Sequence, residues 1–337
     1  MAPAMHSRRN RLLARGTSAV LLAIGALALV HSLGWRGARF PGFFVMPNRV
    51  VPSAALPGWS GVAEGRPLYQ NILLAVDGVP IAAADDGYRR AAAHSAGEPA
   101  AYLFARADGV ETRTFATRIL GDGEYLATFG AYAFTALAYL LLAAVASERS
   151  AEGELYRGLA ALGWASAAFG FTAMDLYGPG VLFRLHVLSE ALLWAVATHL
   201  VLAYPEDRVT GRAGVLPLVY GVGLAFAAVY EFFAHEPGAY SAMHNLSQAL
   251  AGIPVLVLVA RLALAADRPP RVLGRSGLRR MLAGTLAGLV IPAIVLGVSG
   301  ATGGRIPVNA SAWVGFLFPL ACLSALWQTP AHPPRAA

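Results

Sequence analysis

The chain has little charge, no lysine and almost no cysteine. Only 13% of its 337 residues are charged, whereas 57% are hydrophobic. That balance lies outside the range of ordinary soluble domains. The single cysteine, Cys322, lies inside an apolar run. One cysteine excludes a disulfide framework or a thiolate metal site within one chain. The composition indicates a membrane protein.

Long apolar runs are abundant. A membrane-spanning helix needs about 20 mostly apolar residues. The sequence therefore predicts an α-helical polytopic membrane protein with eight transmembrane helices: an anchor at 17–35 and a seven-helix block over 125–328, with short tails at 1–16 and 329–337. The seven predicted spans of the block are 125–146, 158–178, 181–204, 214–233, 242–266, 280–300 and 307–328.

The first apolar run has a second interpretation. The stretch SRRNRLL precedes it and faintly resembles a twin-arginine signal, so the run could be a cleaved leader. The apolar residues continue to about Leu33 without a convincing small-residue cleavage site. We therefore favour an uncleaved anchor. Either interpretation puts the segment that follows outside the cytoplasm.

The net charge of +7 comes from arginines that are unevenly distributed. If the N-terminus is cytoplasmic, 14 arginines fall in inside segments, and only Arg305 falls in the three short outside loops. The positive-inside rule explains this bias and predicts that both termini are cytoplasmic. The basic charge is then an orientation signal. We therefore expect the protein to contact the lipid bilayer and to bind no nucleic acid.

Residues 38–121 form a soluble insert with a different pattern. The stretch ILLAVDGVPI contains two short β-type runs joined by an Asp77-Gly78 turn. ADDGYRRAAAHS (84–95) predicts a short helix with acidic residues in its first turn. Residues 100–117 predict a hairpin with an Asp108-Gly109 turn, and PGFFVMPNRVV (41–51) predicts a strand. The insert is therefore predicted to be a small α+β domain.

The order of these pieces resembles a PDZ domain. ILLAVDGVPI is similar to the strand-turn-strand signature of that family, the helix after it matches the second helix, and PGFFV resembles the carboxylate-binding loop. The loop has only one of the usual glycines. The resemblance implies that an extended C-terminal peptide binds by strand addition. The implied groove residues are Gly42, Phe43, Phe44, Val45, Tyr88 and Ala92. The alternative is a structural cap that binds nothing diffusible.

The seven-span block also carries a resemblance. THLVLAYPEDR (198–208) is similar to the end of a span in the membrane-sensor halves of bacterial histidine kinases, and FLFPLACLSALWQ (316–328) resembles their last span. With the anchor and the PDZ-like insert, the chain resembles the sensor half of competence-pheromone-receptor-like kinases. It has no kinase or ATP-binding motif. The resemblance implies a bacterial inner-membrane protein whose output is a separate cytoplasmic kinase or other signalling protein, or is lost.

Ionisable residues at membrane depth are costly and point to function. With the predicted topology, six of them on four helices fall toward the extracytoplasmic half, which predicts a polar pocket that binds a ligand or docks the insert. The alternative is that most of them snorkel and that Glu190 finds a local partner in Arg184 or His186. The six residues are Asp175, Arg184, His186, Glu190, Glu231 and His244.

Catalytic and metal motifs are not evident. The sequence has no H-E-x-x-H and no G-x-S-x-G. His186 and His199 are 13 residues apart, as stacked haem ligands are, but a matching pair on a second helix is missing. We expect no metal, no cofactor and no enzyme. The leading hypothesis is a sensory module that recognises a peptide or membrane-proximal signal outside the cytoplasm. The alternative is an envelope scaffold or transport accessory protein whose insert binds partner C-termini.

Overall fold

The computed structural model describes residues 2–62, 67–106, 108–267 and 272–328. It is mostly helical, with a small antiparallel sheet domain between the first two long helices. The helices are α1 (Ala2–Leu33), α2 (Ala84–Ala93), α3 (Asp122–Tyr125), α4 (Ala131–Glu148), α5 (Glu154–Ala173), α6 (Phe183–Ala203), α7 (Val215–Phe233), α8 (Pro237–Leu264), α9 (Gly274–Thr285), α10 (Ile291–Ala301), α11 (Asn309–Gly315) and α12 (Leu317–Trp327).

Helices occupy all eight predicted apolar segments. Single π-helical turns join α3 to α4 and α9 to α10, which gives two continuous helices. In the described part of the chain, six helices are long and apolar enough to cross a membrane: Arg9–Leu33, Asp122–Glu148, Phe183–Ala203, Val215–Phe233, Pro237–Leu264 and Gly274–Ala301. The remaining two segments are α5 and the shorter apolar stretch Ser311–Trp327.

Two details differ from the predicted boundaries. Helix α1 begins at Ala2, so it runs through the residues predicted as a basic tail. Arginine is a good helix former, and a proline at the first helical turn is tolerated. The last predicted span, 307–328, is interrupted at Phe316 between α11 and α12. The predicted tail 329–337 lies outside the described residues.

The sheet domain has four main strands in the order β3-β2-β4-β5: β2 (Ile72–Val76), β3 (Val79–Pro80), β4 (Pro99–Arg106) and β5 (Gly109–Ala116). Asp77 and Gly78 both have positive φ, 51° and 76°, as a tight two-residue hairpin turn requires. A two-stranded ribbon, β1 (Arg39–Phe40) with β6 (Arg118–Ile119), closes the domain where it leaves and rejoins the helices.

The prediction of a strand at 41–51 is wrong: a turn at Pro47 and Asn48 interrupts the segment, and Val50 makes an isolated bridge with Ile72. Residues 43–46 lie before this turn. Their side chains alternate in direction, as an extended backbone requires. Phe43 and Val45 are buried in the core of the sheet domain, whereas Phe44 and Met46 are buried in the core of the helical bundle. This segment therefore lies between the two cores and belongs to both.

Helices α4 and α5 are in close contact. A Cβ added to Gly163 would be 2.8 Å from the Cβ of Ala143 and from the carbonyl oxygen of Tyr139. One at Gly170 would be 3.0 Å from the Cβ of Ala136. Small residues at such positions let helix backbones approach closely. Helix α5 thereby fits between α4 and α6. The loop that follows α5 carries Tyr177, which contacts Phe44 of the insert.

Candidate functional site

A buried carboxylate lies at the centre of the bundle near the sheet domain. Glu190 of α6 is 1% exposed. Its Oε1 is 2.8 Å from His244 Nδ1 of α8 and accepts a hydrogen bond from Gln248 Nε2 (3.2 Å). Its Oε2 accepts from the hydroxyl of Tyr230 on α7 (3.2 Å). Helices α7 and α8 thus supply the groups around a carboxylate of α6.

Aromatic rings surround this Glu190 cluster. Tyr240 stacks on His244 at 5.8 Å with 16° between the ring planes, and it lies 5.8 Å from Tyr230. The hydroxyl of Ser247 donates to the backbone carbonyl of Glu190 (3.3 Å). Tyr230, Tyr240 and Ser247 are each at most 2% exposed. The His244 side chain is 24% exposed and Gln248 is also partly exposed, so the cluster is buried around Glu190 and reaches the surface at His244.

His186, one turn before Glu190, contacts other groups. Its Nδ1 lies 3.0 Å from the hydroxyl of Thr172 on α5, and its ring stacks on Phe169 at 4.5 Å. His186 is therefore part of the α5–α6 contact. The alternative prediction paired Glu190 with Arg184 or His186 on its own helix. In the structure its partner is His244, which comes from another helix.

Asp175 forms a second buried polar contact. Its Oδ1 is 2.6 Å from His31 Nδ1 of α1, and its Oδ2 accepts the backbone N–H of Leu182 (2.7 Å), just before α6. The Asp175 side chain is fully buried. The contact ties the first helix to the start of α6.

Arg184 and Glu231 form a separate pair at the rim. Arg184 Nε is 2.9 Å from Glu231 Oε1, and the Arg184 side chain is 71% exposed. Of the six residues predicted as one pocket, the structure brings together Glu190 with His244 and Arg184 with Glu231. Asp175 and His186 have partners of their own.

The sheet domain lies directly on this end of the bundle. The hydroxyl of Tyr240 donates to the sulfur of Met46 (3.4 Å), and Asn48 Nδ2 donates to the carbonyl of Ala234 between α7 and α8 (3.0 Å). Gln70 Nε2 donates to Asn245 Oδ1 of α8 (2.9 Å). The Glu190 cluster is thus covered by residues of the insert.

The predicted peptide groove is filled by the protein's own side chains. The Tyr88 hydroxyl of α2 donates to the carbonyl of Val45 (2.9 Å) and accepts the N–H of the same residue (2.5 Å). Trp35, after α1, packs edge-on against Tyr88 with centroids 4.8 Å apart. Burial raises the pKa of Tyr88 well above its usual value, so the hydroxyl stays protonated as a donor.

The other predicted groove residues are dispersed. Gly42 has a positive φ of 79°, and a Cβ there would lie 2.6 Å from Ser60 Oγ, so glycine is required. Phe43 packs on Tyr102, Phe104 and Phe115 in the sheet core. Phe44 stacks on Tyr177, between α5 and α6. Ala92 is exposed near the end of α2.

The opposite end of the bundle holds the histidine of the THLVLAYPEDR stretch. His199 Nδ1 is 2.9 Å from the hydroxyl of Tyr220 on α7, and its Nε2 is 3.3 Å from Glu154 Oε2 on α5. Glu154 also pairs with Arg157 at 2.6 Å. This stretch therefore connects α5, α6 and α7 at the end of the bundle away from the sheet domain.

Several residues of these contacts were not singled out from the sequence. Tyr230, Gln248 and Ser247 carry no unusual sequence signal in apolar helices. His31 carries one, because a histidine near the end of the first apolar run is an ionisable residue at membrane depth. Among the residues that the structure describes, no group of three or more His, Cys, Asp or Glu side chains could hold a metal ion.

The fold and the buried polar contacts define a helical membrane protein with a sheet domain packed on one end of its bundle. No protein-family model matches the chain, and neither a curated protein nor a solved structure matches it.

Proposed function

We propose that this protein is a sensory module of a bacterial inner membrane, with eight spans and a PDZ-like domain outside the cytoplasm. A peptide or protein C-terminus, or a signal close to the membrane, acts on that domain. The change passes through the helices to a separate cytoplasmic signalling protein such as a kinase. The observation that carries the proposal is the segment Phe43–Met46, because its alternate side chains belong to both cores.

The Tyr88 hydroxyl occupies backbone groups that a bound peptide would need. A peptide that adds as a strand pairs its backbone with the N–H and C=O of the receiving strand. At Val45 both groups are held by the Tyr88 hydroxyl. Peptide binding there must displace Tyr88, and Tyr88 packs on Trp35 at the end of the first helix. A ligand shifts an equilibrium only by its differential affinity for two states. Here the peptide would bind the state in which Tyr88 is displaced and not the state in which Tyr88 bonds Val45.

The displacement would reach the bundle by two contacts. Phe44 is adjacent to Val45 and stacks on Tyr177 before α6. Met46 contacts Tyr240, which stacks on His244 beside Glu190. A shift of the segment would therefore change the environment of a buried carboxylate that α7 and α8 share with α6. The altered helix packing would then be read at the opposite end of the bundle, where His199 connects three helices.

The test uses the full-length protein in nanodiscs with a library of peptides that carry a free C-terminal carboxylate. The same library with amidated C-termini is the control. We expect carboxylate peptides to bind, and Tyr88→Phe to bind them roughly thirtyfold more tightly, because the variant has lost the two hydrogen bonds to Val45, each worth about 1 kcal/mol, that a peptide must otherwise displace. The bundle response is measured as a change in the labelling of a cysteine introduced at Gly221 on α7.

Three results separate the hypotheses. Binding with a change in labelling supports the sensory module. Binding without any change in labelling favours the envelope scaffold or transport accessory, in which the domain only holds partner C-termini. Equal binding of carboxylate and amidated peptides, or weaker binding by the Tyr88→Phe variant, contradicts a groove at Val45.

A further inference from the structure

Strand β5 (Gly109–Ala116) is an edge of the four-stranded sheet in the described chain, because the order is β3-β2-β4-β5. It pairs with β4 over eight consecutive residues without a bulge, from Pro99↔Ala116 to Arg106↔Gly109. Val110 is 63% exposed, and Thr112, Thr114 and Ala116 are exposed as well. Long regular edges invite pairing with another strand unless proline, bulges or charges prevent it.

The backbone groups that point outward from this edge can be assigned. The N–H of Ala101 on β4 donates to the Asp77 carboxylate, and its carbonyl accepts the Asp77 N–H. Ala101 therefore makes no backbone bond to its β5 partner Thr114, and in antiparallel pairing the peptide groups of Thr114 point away too. With the two-residue period of a strand, those of Val110 and Thr112 also point outward.

Two charged residues fix which strand fits this edge. Glu111 and Arg113 lie on the half-buried face of β5, opposite Phe104 and Tyr102 of β4. Glu111 also contacts Arg106 at 2.9 Å, and Arg113 lies over the ring of Phe115 at 5.1 Å. Inward charges on an edge strand discourage pairing with most other strands. They allow pairing with a strand that has the opposite charge at the facing position.

We infer that β5 pairs antiparallel with β5 of a second copy of this chain, with Thr112 on the two-fold axis. In this register, Glu111 faces Arg113 of the second copy, and the reverse contact is made by symmetry. Val110 faces Thr114, and the outward groups of these residues and of Thr112 form about six backbone hydrogen bonds. Shifting the axis by one residue places Glu111 against Glu111, or Arg113 against Arg113. The charges therefore select one register.

The symmetry is compatible with two copies in one membrane. An antiparallel pair centred on facing residues has its two-fold axis perpendicular to the sheet. The core face of the sheet, with Phe104 and Tyr102, covers Phe43 and Val45, and the other side of that segment packs on the bundle. The axis therefore points from the sheet toward the bundle, so both copies insert in the same direction, as a cyclic dimer requires.

The test is disulfide crosslinking of the full chain in native membranes. Thr112→Cys places its thiol on the axis, where the Cα atoms of a facing pair are about 5.5 Å apart and a disulfide can form. Thr114→Cys is the matched control, since its copies would lie roughly 13 Å apart along the strands. The native Cys322 is fully buried and is present in both variants. We expect an oxidised dimer from Thr112→Cys and none from Thr114→Cys.

The register is checked with two tagged chains and with charge reversal. Val110→Cys on one chain and Thr114→Cys on the other should give an adduct that carries both tags. In the Thr112→Cys chain, Arg113→Glu should abolish the dimer, and adding Glu111→Arg should restore it. Equal crosslinking at Thr112 and Thr114, no dimer at Thr112, or an adduct with a different protein overturns the proposal. These outcomes stand even if the charge variants fail to accumulate.

Discussion

Phe44 stacks face to face on Tyr177, with ring centroids 4.4 Å apart and 4° between the ring planes. Phe44 also packs on Phe129 and Trp35. Its neighbours Phe43 and Val45 point the other way, into the sheet domain. The contact explains how a soluble domain is held on a membrane bundle: one extended segment contributes alternate side chains to two cores.

Replacing the Phe44 ring should loosen this attachment. We expect Phe44→Ala to lower the free energy of unfolding by about 3–5 kcal/mol, as for other buried aromatic truncations. The measurement is unfolding of the full-length protein in mixed micelles, with limited proteolysis of the insert as a second readout. Val79→Ala is the control, because Val79 is 42% exposed and lies away from β5. Equal stability of the two variants would show that the stack does not hold the domain.

Tyr88→Phe tests the contact that closes the predicted groove. The ring contact with Trp35 remains, but the N–H and C=O of Val45 lose their partner. An unsatisfied buried polar group costs about 1–3 kcal/mol. We therefore expect destabilisation in that range, measured by the same unfolding titration.

Tyr102→Phe is a matched control for that prediction. The Tyr102 hydroxyl is buried in the same domain and has no hydrogen-bond partner among the residues that the structure describes. Removing a buried, unpaired hydroxyl should be neutral or stabilising. If Tyr88→Phe behaved like Tyr102→Phe, the hydrogen bonds with Val45 would contribute nothing.

Local features of the fold were predictable from the sequence. Apolar length predicted the positions of the helices, and the Asp77-Gly78 dipeptide predicted the hairpin because its residues tolerate positive φ. The segment at 41–51 was wrongly predicted as one strand. Gly42 and Arg49 take positive φ there, 79° and 69°, which interrupts a regular strand.

Partnerships between distant residues were not predictable. Asp175 contacts His31, 144 residues earlier, and Glu190 contacts His244 on another helix. Hydropathy gives the depth of each residue in the membrane but not which helices are neighbours. The sequence therefore predicted that charged residues gather at this end of the bundle, and it could not assign the pairs.

The Glu190 contacts should matter more than the exposed pair at the rim. Glu190→Ala removes the acceptor for Tyr230 and Gln248 and leaves His244 without its carboxylate. Breaking a buried pair in this way costs about 3–5 kcal/mol. Arg184→Ala, the control, breaks a largely exposed pair, which is worth about 0–1 kcal/mol. Both are measured as unfolding free energies, and a double-mutant cycle with His244→Gln isolates the pair. Equal losses from the two single substitutions would contradict the central role of Glu190.

Gly163→Ala tests the close approach of α4 and α5. The new methyl group would overlap with Ala143 and with the carbonyl of Tyr139, and overpacking typically costs about 1–3 kcal/mol. Gly221→Ala on α7 is the control, because no atom of the described chain lies within 4 Å of a Cβ at that position. There, alanine should be neutral or stabilising, since glycine is the poorer helix former. If both variants unfolded like the wild type, the two helices would not be in close contact.

The sheet domain should carry a pH-dependent contribution to stability through His94. The hydrogen bond with Asp77 Oδ2 (2.7 Å), together with Glu98 at 3.3 Å, raises the pKa of His94 above its usual 6.5. A raised folded-state pKa means that the native state binds a proton more tightly than the unfolded state. The contribution is therefore complete below about pH 6.5 and is lost as the pH rises through the folded pKa of His94.

Unfolding of the full-length protein at pH values from 5.5 to 9 checks this expectation. The wild type should lose stability relative to His94→Gln as the pH rises through this range, because glutamine does not titrate. Asp77 titrates far below the range, since hydrogen bonds from Ala101 and His94 outweigh burial and lower its pKa. A constant difference between wild type and variant across the range would contradict a raised pKa of His94 in the folded protein.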